Sequence, residues 1–558
     1  MKPTRWFALG GMQEIGKACH VTEHEDEIVI IDSGNRFVNS METGVDAMIP
    51  NWKYLVPKSK NVLGVFLTHG HLDHIGAVPH LVNQVGVEKI YAPGVAIAFI
   101  KRIMKEARVK RKVEYIEITK DLVVQGKNVK IDFWTGQHSI PDAFGIRVTT
   151  PNGSILDTGD FRFDYSPIGN LTDFSKLEEM GKEGVTLLTS DSTNAMTPDH
   201  SPTEQMIIND IDRHIRETKG KVIITTFASN MHRVKLAIDL AFKNKRKVCL
   251  FGRSMLDGTE VGTKQKFIDV PESVFVDKKD LSKLQDNEIL ILCTGSQGEE
   301  FAALNRMATD AHQYVKLKSK DVVIFSASPI PGNRIKIEYL INRIYKLGAT
   351  VKEHGIDGML HISGHAYKGE HLKIFDITKP KYFIPCHGFY RQSAMHAATA
   401  IESGIPKDNV SIIENGRVVE ILNNELTVSD EVIECDPIFI DSGVATDHTV
   451  KAIMQREELA QNGFINVVAK INRTKKIIVG KTKIITRGTL YAKDSQDEMA
   501  EIQKLAHGTI LYHIKNLDDW DEKHIEKVLT QRLQNMFYKL KRRRPMIVFS
   551  MLDGEQKD

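Results

Sequence analysis

Short apolar runs that end in polar turn residues divide the first part of the chain. Glu27–Ile31 is one such run and predicts a strand that ends at Asp32, and residues 62–68 predict a second strand. From residue 75 the spacing of apolar positions becomes that of a helix, with Gly86 as its stop signal. Residues 69–74 are therefore predicted to lie on a loop between the C-terminal end of a strand and a helix, where open α/β sheets place their ligands.

Between residues 210 and 360 the apolar pattern becomes a repeated alternation of strands and helices. Strands are predicted over 221–226, 247–251, 288–293 and 321–326, and helices over 232–243, 299–308 and 335–346. This alternation is typical of βαβ units with a parallel sheet and predicts a separate α/β domain. After residue 450 the chain is Lys-rich, and an amphipathic helix over 522–540 precedes a predicted strand over 545–551.

Composition adds little to this picture but excludes some classes. The 558 residues are 41% hydrophobic and 26% charged, which is ordinary for a globular protein. The net charge of +3 does not by itself indicate a nucleic-acid partner, so any positive field has to be local. The five cysteines are widely spaced and odd in number, which favours a reducing compartment. With no signal-like start and no apolar run of membrane-spanning length, we expect a cytoplasmic protein without a membrane partner.

The most informative segment contains His69, His71, Asp73 and His74. Imidazoles and carboxylates are the ligands of zinc sites, and such a density of them repays its desolvation only by pairing or by metal ligation. In a tight loop, His69 and His71 can reach one metal ion, and Asp73 and His74 a neighbouring one. Further ligands should come from other strand ends, where the candidates are Asp32, His138, Asp160 and His387.

These residues, in this order, resemble a known family. Asp32, the HxHxDH segment, His138 and Asp160 resemble the metallo-β-lactamase fold, and Asp191, residues 361–365 and His387 resemble its β-CASP branch, which processes nucleic acids. Segments 229–233, 252–255, 294–299 and 328–333 extend the similarity to bacterial ribonuclease J over nearly the whole chain.

The resemblance implies a fold class and a domain order. The expected fold is an αββα metallo-β-lactamase sandwich with an inserted α/β β-CASP domain and a small α+β C-terminal domain. The expected boundaries are 1–208 and 363–445 for the two parts of the metallo-β-lactamase domain, 209–362 for the β-CASP domain and 446–558 for the C-terminal domain.

The resemblance also implies a set of ligands for two zinc ions, for which manganese or magnesium could substitute. His69, His71 and His138 would hold one ion, Asp73, His74 and His387 the other, and Asp160 would bridge them. Asp32 would orient a ligand histidine from behind.

The resemblance implies hydrolysis of an RNA phosphodiester, in which two cations would lower the pKa of water and stabilise charge in the transition state. Asp73 would orient the attacking hydroxide, and His365, oriented by Asp191, would protonate the leaving oxygen. A phosphate pocket is expected from Ser229, Asn230, His361, Ser363, Gly364 and His365, with Gly364 permitting close approach of an anion.

By resemblance, that pocket reads a 5′-monophosphate and supports 5′-to-3′ exonuclease action beside endonuclease cleavage, in ribosomal RNA processing and messenger RNA decay. A homodimer or a higher homo-oligomer is expected, with a paralogue as a further candidate partner. Three positions depart from the common family pattern, namely Asp157, Met196 and Phe389, and none of them is an expected ligand.

Three other functions remain open on the sequence. A small-molecule hydrolase of the same fold would not need the inserted domain or the late histidines His365 and His387. A DNA-cutting β-CASP nuclease is a second alternative, and an RNA-binding scaffold without activity is a third, although no expected ligand is lost. The basic run at residues 541–544 could contact RNA backbone or could be a solvated helix end.

Overall fold

A computed structural model describes residues 2–37, 45–330, 332–441, 444–446, 450–490, 495–517 and 520–554. Among these, residues up to 37 and from 47 to 441 form one compact unit, whereas residues from 444 onward belong to a second. None of the described helices combines the length and the apolar character that a membrane span requires.

The first unit begins with a long run of strands. Its elements up to Asp191 are β1 (Thr4–Gly10), β2 (Cys19–His24), β3 (Glu27–Ile31), β4 (Arg36–Phe37), β5 (Ala47–Ile49), β6 (Val62–Phe66), α1 (Leu72–Ile75), α2 (Val78–Val85), β7 (Lys89–Ala92), α3 (Gly94–Glu106), β8 (Glu114–Glu117), β9 (Val123–Gln125), β10 (Lys130–Gly136), β11 (Ala143–Thr150), β12 (Gly153–Asp157), α4 (Phe174–Glu183) and β13 (Leu187–Asp191).

Alternating helices and strands follow, and then the chain returns to the first sheets. The alternating part contains α5 (Glu204–Glu217), β14 (Val222–Thr225), α6 (Met231–Lys243), β15 (Lys247–Phe251), α7 (Arg253–Lys264), β16 (Ile289–Cys293), α8 (Ala303–Ala308), β17 (Val322–Phe325), α9 (Arg334–Lys346) and β18 (Thr350–Glu353). The returning part contains α10 (Lys368–Thr378), β19 (Tyr382–Cys386), α11 (Tyr390–Glu402), β20 (Arg417–Leu422), β21 (Glu425–Val432) and β22 (Ile438–Asp441).

Two sheets pack face to face between two layers of helices. One has eight strands in the order β21-β20-β1-β2-β3-β6-β7-β8, and the other has six in the order β19-β13-β12-β11-β10-β9. Phe66 and Phe133 meet between the sheets. Outside them, Leu81 of α2 packs on the first sheet, and Leu177 of α4 packs on the second. Central strands such as β3 and β13 are buried on both faces, which explains why they are largely apolar runs.

The alternating part forms a third sheet of five parallel strands in the order β15-β16-β14-β17-β18. Ile223 faces a cluster with Leu304 of α8, and Ile224 faces a cluster with Leu236 of α6, so helices cover both faces. The helix that the sequence predicts from residue 299 begins only at Ala303. The four residues before it form a loop in which the Glu299 carboxylate accepts a hydrogen bond from the Gln297 backbone N–H at 3.0 Å.

The second unit contains β23 (Val444–Thr446), α12 (Val450–Asn462), β24 (Phe464–Asn472), β25 (Ile477–Ile478), β26 (Lys483–Arg487), α13 (Gln496–Asn516), α14 (Glu522–Lys541) and β27 (Met546–Asp553). Strand β24 is central, since it pairs antiparallel with β25 and β26 and parallel with β27. Its buried residues, among them Ile465 and Val467, form one core with Ile510 of α13 and Leu529 of α14. Both helices therefore cover the same face of this sheet.

Candidate metal centre

The candidate ligands lie on loops at the C-terminal ends of strands in the first unit. His69 and His71 follow β6, with Asp73 and His74 in α1, the short helix that comes next. His138 follows β10, Asp160 follows β12 and His387 follows β19. Strands β12, β13 and β19 run parallel, so their carboxyl ends meet at one edge of the six-stranded sheet.

Two groups of side chains are close enough to hold metal ions. His69, His71, His138 and Asp160 form the first group, and Asp73, His74, Asp160 and His387 form the second. Within each group, one potential ligand atom from every residue lies within 4.8 Å of the others. The structure therefore brings together all seven residues that the sequence predicts as ligands, with Asp160 shared between the two groups.

In the first group, hydrogen bonds on the far side of each ring fix the protonated nitrogen. His138 Nδ1 donates to the Gly364 carbonyl at 2.7 Å, and His71 Nε2 donates to the Ser229 carbonyl at 3.4 Å. The other two nitrogens, His138 Nε2 and His71 Nδ1, then face each other at 3.0 Å with bare lone pairs. Two lone pairs at this distance repel unless a cation lies between them, so the arrangement fits a metal ion.

His74 is held in the same way. Its Nδ1 donates to Asp32 Oδ2 at 2.7 Å, while Asp32 also accepts hydrogen bonds from the backbone N–H and the hydroxyl of Thr68, both at 2.8 Å. The opposite nitrogen, Nε2, lies 3.3 Å from Asp160 Oδ2. Asp32 therefore lies on the far side of His74 from the candidate metal centre, where it can orient the ring as the sequence predicts. The hydroxyl of Thr68 also accepts a hydrogen bond from His69 Nδ1 at 3.0 Å.

Buried polar atoms without partners mark the centre of the site. Within the described part of the chain, His69 Nε2, His74 Nε2 and both carboxylate oxygens of Asp160 have no hydrogen-bond partner. Asp160 is only 3% exposed, and burial of an unpaired carboxylate is costly. A cation bound among these atoms would satisfy all of them, so the donor set fits the metal ions that the sequence predicts.

The protonation states of His69, His138 and Asp73 suit ligation. For His74 and His387, in contrast, burial acts to lower the pKa but Asp160 outweighs it and raises the pKa. Burial lowers the pKa of His69 and of His138 well below the ordinary value, which keeps both rings neutral. For Asp73, burial acts to raise the pKa, but the neighbouring His387 and His74 outweigh it and hold the carboxyl ionised. Neutral imidazoles and ionised carboxylates are the forms that bind metal.

His387 lies between the second group and the proposed proton donor. Its Nε2 is 3.4 Å from Asp73 Oδ2 and accepts a hydrogen bond from the Gly16 backbone N–H at 3.2 Å. Its Nδ1 is 3.4 Å from Asp160 Oδ1 and 3.6 Å from Asp191 Oδ1. A third group, which consists of Asp160, Asp191, His365 and His387, therefore adjoins the second.

His365 and Asp191 form a close pair at this edge. His365 Nδ1 donates to Asp191 Oδ2 at 2.7 Å. Burial acts to lower the pKa of His365, but Asp191 and then Asp160 outweigh it and raise that pKa above the ordinary value. Since Nδ1 is engaged by Asp191, Nε2 is the nitrogen left to deliver a proton.

The residues expected to bind phosphate make hydrogen bonds to several different parts of the first unit. Asn230 caps α6 by accepting from the Arg233 backbone N–H at 3.0 Å, and the Ser229 carbonyl is engaged by His71. The Ser363 hydroxyl accepts from the Asn194 side chain at 2.8 Å. His361 is 9% exposed, and burial lowers its pKa to about 3. The helix cap and a phosphate contact can coexist at Asn230, because a cap uses only one of its side-chain atoms.

Gly364 has a clear structural reason to be glycine. A Cβ at this position would lie 2.6 Å from His138 Cε1 and 2.9 Å from the Ser139 backbone nitrogen. The sequence predicts close approach of an anion at Gly364, and the structure places the ring of His138 where a side chain of residue 364 would be. Gly364 therefore positions His138, a predicted ligand, through this contact and through its carbonyl.

Gly364→Ala is expected to weaken metal binding and activity together, because the added methyl must displace His138. Loss of a residue that orients a metal ligand costs about 10- to 100-fold in affinity or activity. The measurement is metal retained after dialysis, by elemental analysis, beside the cleavage rate. Gly404→Ala is a matched control, since nothing lies within 4 Å of its Cβ position, although its φ of +105° adds local strain. Full metal retention in Gly364→Ala would contradict the positioning role.

Several supporting residues escape sequence reasoning. Thr68 and Gly16 contact the predicted ligands His69 and His387, yet a threonine at a strand end and one glycine among 39 carry no distinguishing signal. Asp157, one of the three departures from the family pattern, accepts from His20 Nδ1 at 2.6 Å and from the Gly159 backbone N–H at 2.9 Å. Its carboxylate therefore braces the loop that carries Asp160. Met196 and Phe389, the other two, are exposed.

Family models match most of the chain in sequence order. They are the metallo-β-lactamase superfamily over residues 16–194, the ribonuclease J β-CASP domain over 219–344, the Zn-dependent metallo-hydrolase RNA specificity domain over 348–410 and the ribonuclease J C-terminal domain over 451–553.

Whole proteins match as well. The chain is 39% identical to Ribonuclease J of Mycoplasma pneumoniae, over 98% of this chain and 96% of that protein. It is 36% identical to Ribonuclease J 1 of Streptococcus pyogenes, over 99% and 98%, and 32% identical to Ribonuclease J2 of Bacillus subtilis, over 98% and 97%. A solved structure from Enterococcus faecalis, titled as a protein of unknown function, covers 75% of this chain and all of its own at a TM-score of 0.53 and 14% identity, and supports the fold alone.

The fold and the site define a metal-dependent hydrolase of the metallo-β-lactamase superfamily with an inserted β-CASP domain, and the predicted fold class is confirmed. The relatives then fix the family. This chain belongs to the ribonuclease J family, and it is a metal-dependent ribonuclease with RNA as its substrate.

Proposed function

We propose that this protein is a zinc-dependent ribonuclease that degrades RNA from 5′-monophosphate ends in the 5′-to-3′ direction and also cuts internally, in RNA processing and decay. The observation that carries the proposal is the pair of ligand groups that share Asp160, directly beside the His365–Asp191 pair.

Two zinc ions suit the donors. Five imidazoles and two carboxylates with no thiolate, in two groups that share Asp160, are typical of zinc hydrolase sites with positions left for water and substrate. His69, His71 and His138 would hold one ion and Asp73, His74 and His387 the other, and manganese or magnesium could take their place. Bound there, the ions would lower the pKa of water and stabilise negative charge on the phosphate.

The protein side chains supply the rest of the reaction. Asp73, ionised and 29% exposed, can orient the attacking water with the carboxylate oxygen that it does not use as a ligand. His365 then protonates the leaving oxygen through Nε2, while Asp191 holds the ring and stabilises its charged form. Without that proton the leaving group would depart as an alkoxide, which is far less stable.

End recognition is assigned to Ser229, Asn230, His361, Ser363, Gly364 and His365. What supports it is their location: Ser229 contacts the ring of His71, and Gly364 contacts His138. A terminal phosphate bound among them would place the first phosphodiester beside the ligand groups.

Cleavage of one RNA that carries either a 5′-monophosphate or a 5′-triphosphate tests this function. We expect the monophosphate form to be degraded at least about tenfold faster, which corresponds to about 1.4 kcal/mol of preference in the pocket. Nucleotides should be released from the 5′ end. A circular RNA of the same sequence serves as control, because only internal cleavage can open it. Equal rates on both ends would contradict end recognition, and preference for matched DNA would contradict an RNA substrate.

We also propose the domain boundaries 208/209, 362/363 and 445/446, a homo-oligomeric state with a paralogue as a further candidate partner, and a cytoplasmic location. The last is supported by the five cysteines, all of which are free thiols. Sedimentation of the purified chain, alone and with a candidate paralogue, would measure the assembly.

A further inference from the structure

Helices α13 and α14 cover one face of the C-terminal sheet of the second unit, and several side chains of the opposite face are exposed. Along β24, Ile465, Val467, Ala469 and Ile471 point into the core with α13 and α14, so the residues between them point to the opposite side. The hydrogen bond from Ser550 to Asn466 at 3.1 Å joins neighbouring strands on that side. We call this side the open face, and its informative members are Phe464, Lys470, Lys483, Arg487, Val548 and Leu552.

The open face combines apolar and basic side chains. The strand register places Arg487 directly beside Phe464. It places Lys483 beside Val468, which lies four residues further along β24 on the same side. Lys470, Lys483 and Arg487 are exposed, and no carboxylate pairs with any of them in the part of the chain that the structure describes. Asp553 is the one acidic residue in β24, β26 and β27. It lies an even number of residues from the buried Ile547 and Phe549, which places it on the core side of the sheet and not on the open face.

Three arginines, 542–544, which we call the arginine rim, lie in the connection between α14 and β27, at the Phe464 end of the sheet. Met546, which starts β27, pairs with Phe464, and the Arg544 backbone N–H donates to Asn462 Oδ1 at 3.4 Å just before that strand. The guanidinium carbons of Arg542 and Arg544 lie 5.3 Å and 5.0 Å from the centre of the Tyr538 ring. Both cations therefore lie against one ring at the C-terminal end of α14, a contact that leaves guanidinium N–H groups able to bind anions.

The basic run at residues 541–544 contains residues with different contacts. Lys541 pairs with Glu498 at 3.2 Å on the helical side. The three arginines 542–544 are exposed and have no carboxylate partner among the described residues.

We propose that the open face and its arginine rim bind single-stranded RNA, which rests on the proposed function in that the chain acts on RNA. Bases would pack on Phe464 and the apolar positions, and phosphates would pair with Lys483, Arg487 and the arginine rim. A sheet that offers an aromatic ring between basic side chains is a general solution for unpaired RNA, because every base has a face to stack. A second copy of the chain fits less well, since two such faces would bring like charges together.

The test is RNA affinity of the full-length protein carrying His74→Ala, so that the RNA survives. A fluorescein-labelled single-stranded RNA is titrated at several salt concentrations by anisotropy. Lys483→Gln with Arg487→Gln should weaken binding by roughly tenfold at low salt and reduce the salt slope by about 1.4, at about 0.7 for each lost phosphate contact. Phe464→Leu should weaken binding by roughly fivefold or more with an unchanged salt slope.

The matched control is Lys504→Gln with Lys527→Gln, which removes the same charge from exposed positions on α13 and α14 in the same unit. Its RNA affinity should remain near that of the parent. Unchanged RNA affinity in the Lys483→Gln, Arg487→Gln variant, or an equal loss of affinity in the control, would overturn the proposal. Loss of self-association in that variant with unchanged RNA affinity would overturn it as well. Circular dichroism checks that each variant folds. If the unmodified enzyme fails to cleave RNA, the proposed function itself is wrong, which is a separate readout.

Discussion

His74→Ala is expected to abolish RNA cleavage while the chain stays folded. The substitution removes one ligand of the second group and the partner of Asp32, whose carboxylate keeps its two hydrogen bonds from Thr68. A barrier that rises by about 4 kcal/mol or more slows the reaction by at least about 10³-fold. Single-turnover cleavage and elemental analysis measure the result, and we expect two zinc ions per chain in the parent and a loss of about one in the variant.

His80→Ala is the matched control, because it removes a partly buried imidazole from the next helix, α2, outside the ligand groups. It should keep both metal and activity. Wild-type turnover in His74→Ala would contradict the two-metal assignment. A parent enzyme that holds less than one metal ion per chain, with no cleavage, would point instead to a scaffold that binds RNA without cutting it.

His365→Ala is expected to lower turnover by about 10²- to 10⁴-fold, the usual contribution of a general acid, while both metal ions are retained. The reason is geometric: His365 is held by Asp191 through Nδ1 and lies 3.8 Å from Asp160, beside the two predicted ligand groups and outside both of them. A substrate with a good leaving group, such as a nitrophenyl phosphodiester, needs no proton at the leaving oxygen and should lose much less activity.

Asp191→Asn accompanies this variant, because the amide keeps the shape of Asp191 and removes the charge that stabilises the protonated ring. Its turnover should fall less than that of His365→Ala, with metal content again preserved. If His365→Ala loses metal and activity in equal proportion, His365 is a ligand or a structural residue and not the proton donor. Equal losses on both substrates would exclude the acid role in the same way.

The agreement between pattern and structure is closest where local spacing decides the outcome. β3 and β15 have the bounds that their apolar runs predict, and α2 ends at Gly86, whose φ of +82° suits glycine. The error at residues 299–302 has a different origin. Those residues have helical spacing, but the Gln297–Glu299 hydrogen bond and the turn at Gly298, with φ +74°, hold them in a loop.

For the site, the sequence by itself determined the chemistry. Ligation needs particular side chains, and His69, His71, Asp73 and His74 are adjacent in the chain, so their spacing alone indicates a metal site. The distant members, His138, Asp160 and His387, are weak candidates at strand ends until the family resemblance supports them, because the sequence of one strand end does not indicate which other strand end it will meet.

Only the tertiary structure decided which nitrogen of each histidine faces the candidate metal centre and which neighbouring residues hold the ring in place. Gly364 supports His138, Thr68 binds both Asp32 and His69, and Lys541 pairs with Glu498. These contacts join residues far apart in the chain, and their energies depend on distances of a few tenths of an ångström that no linear pattern encodes. The sequence states which groups are available, and the packing of sheets and helices decides where each one points.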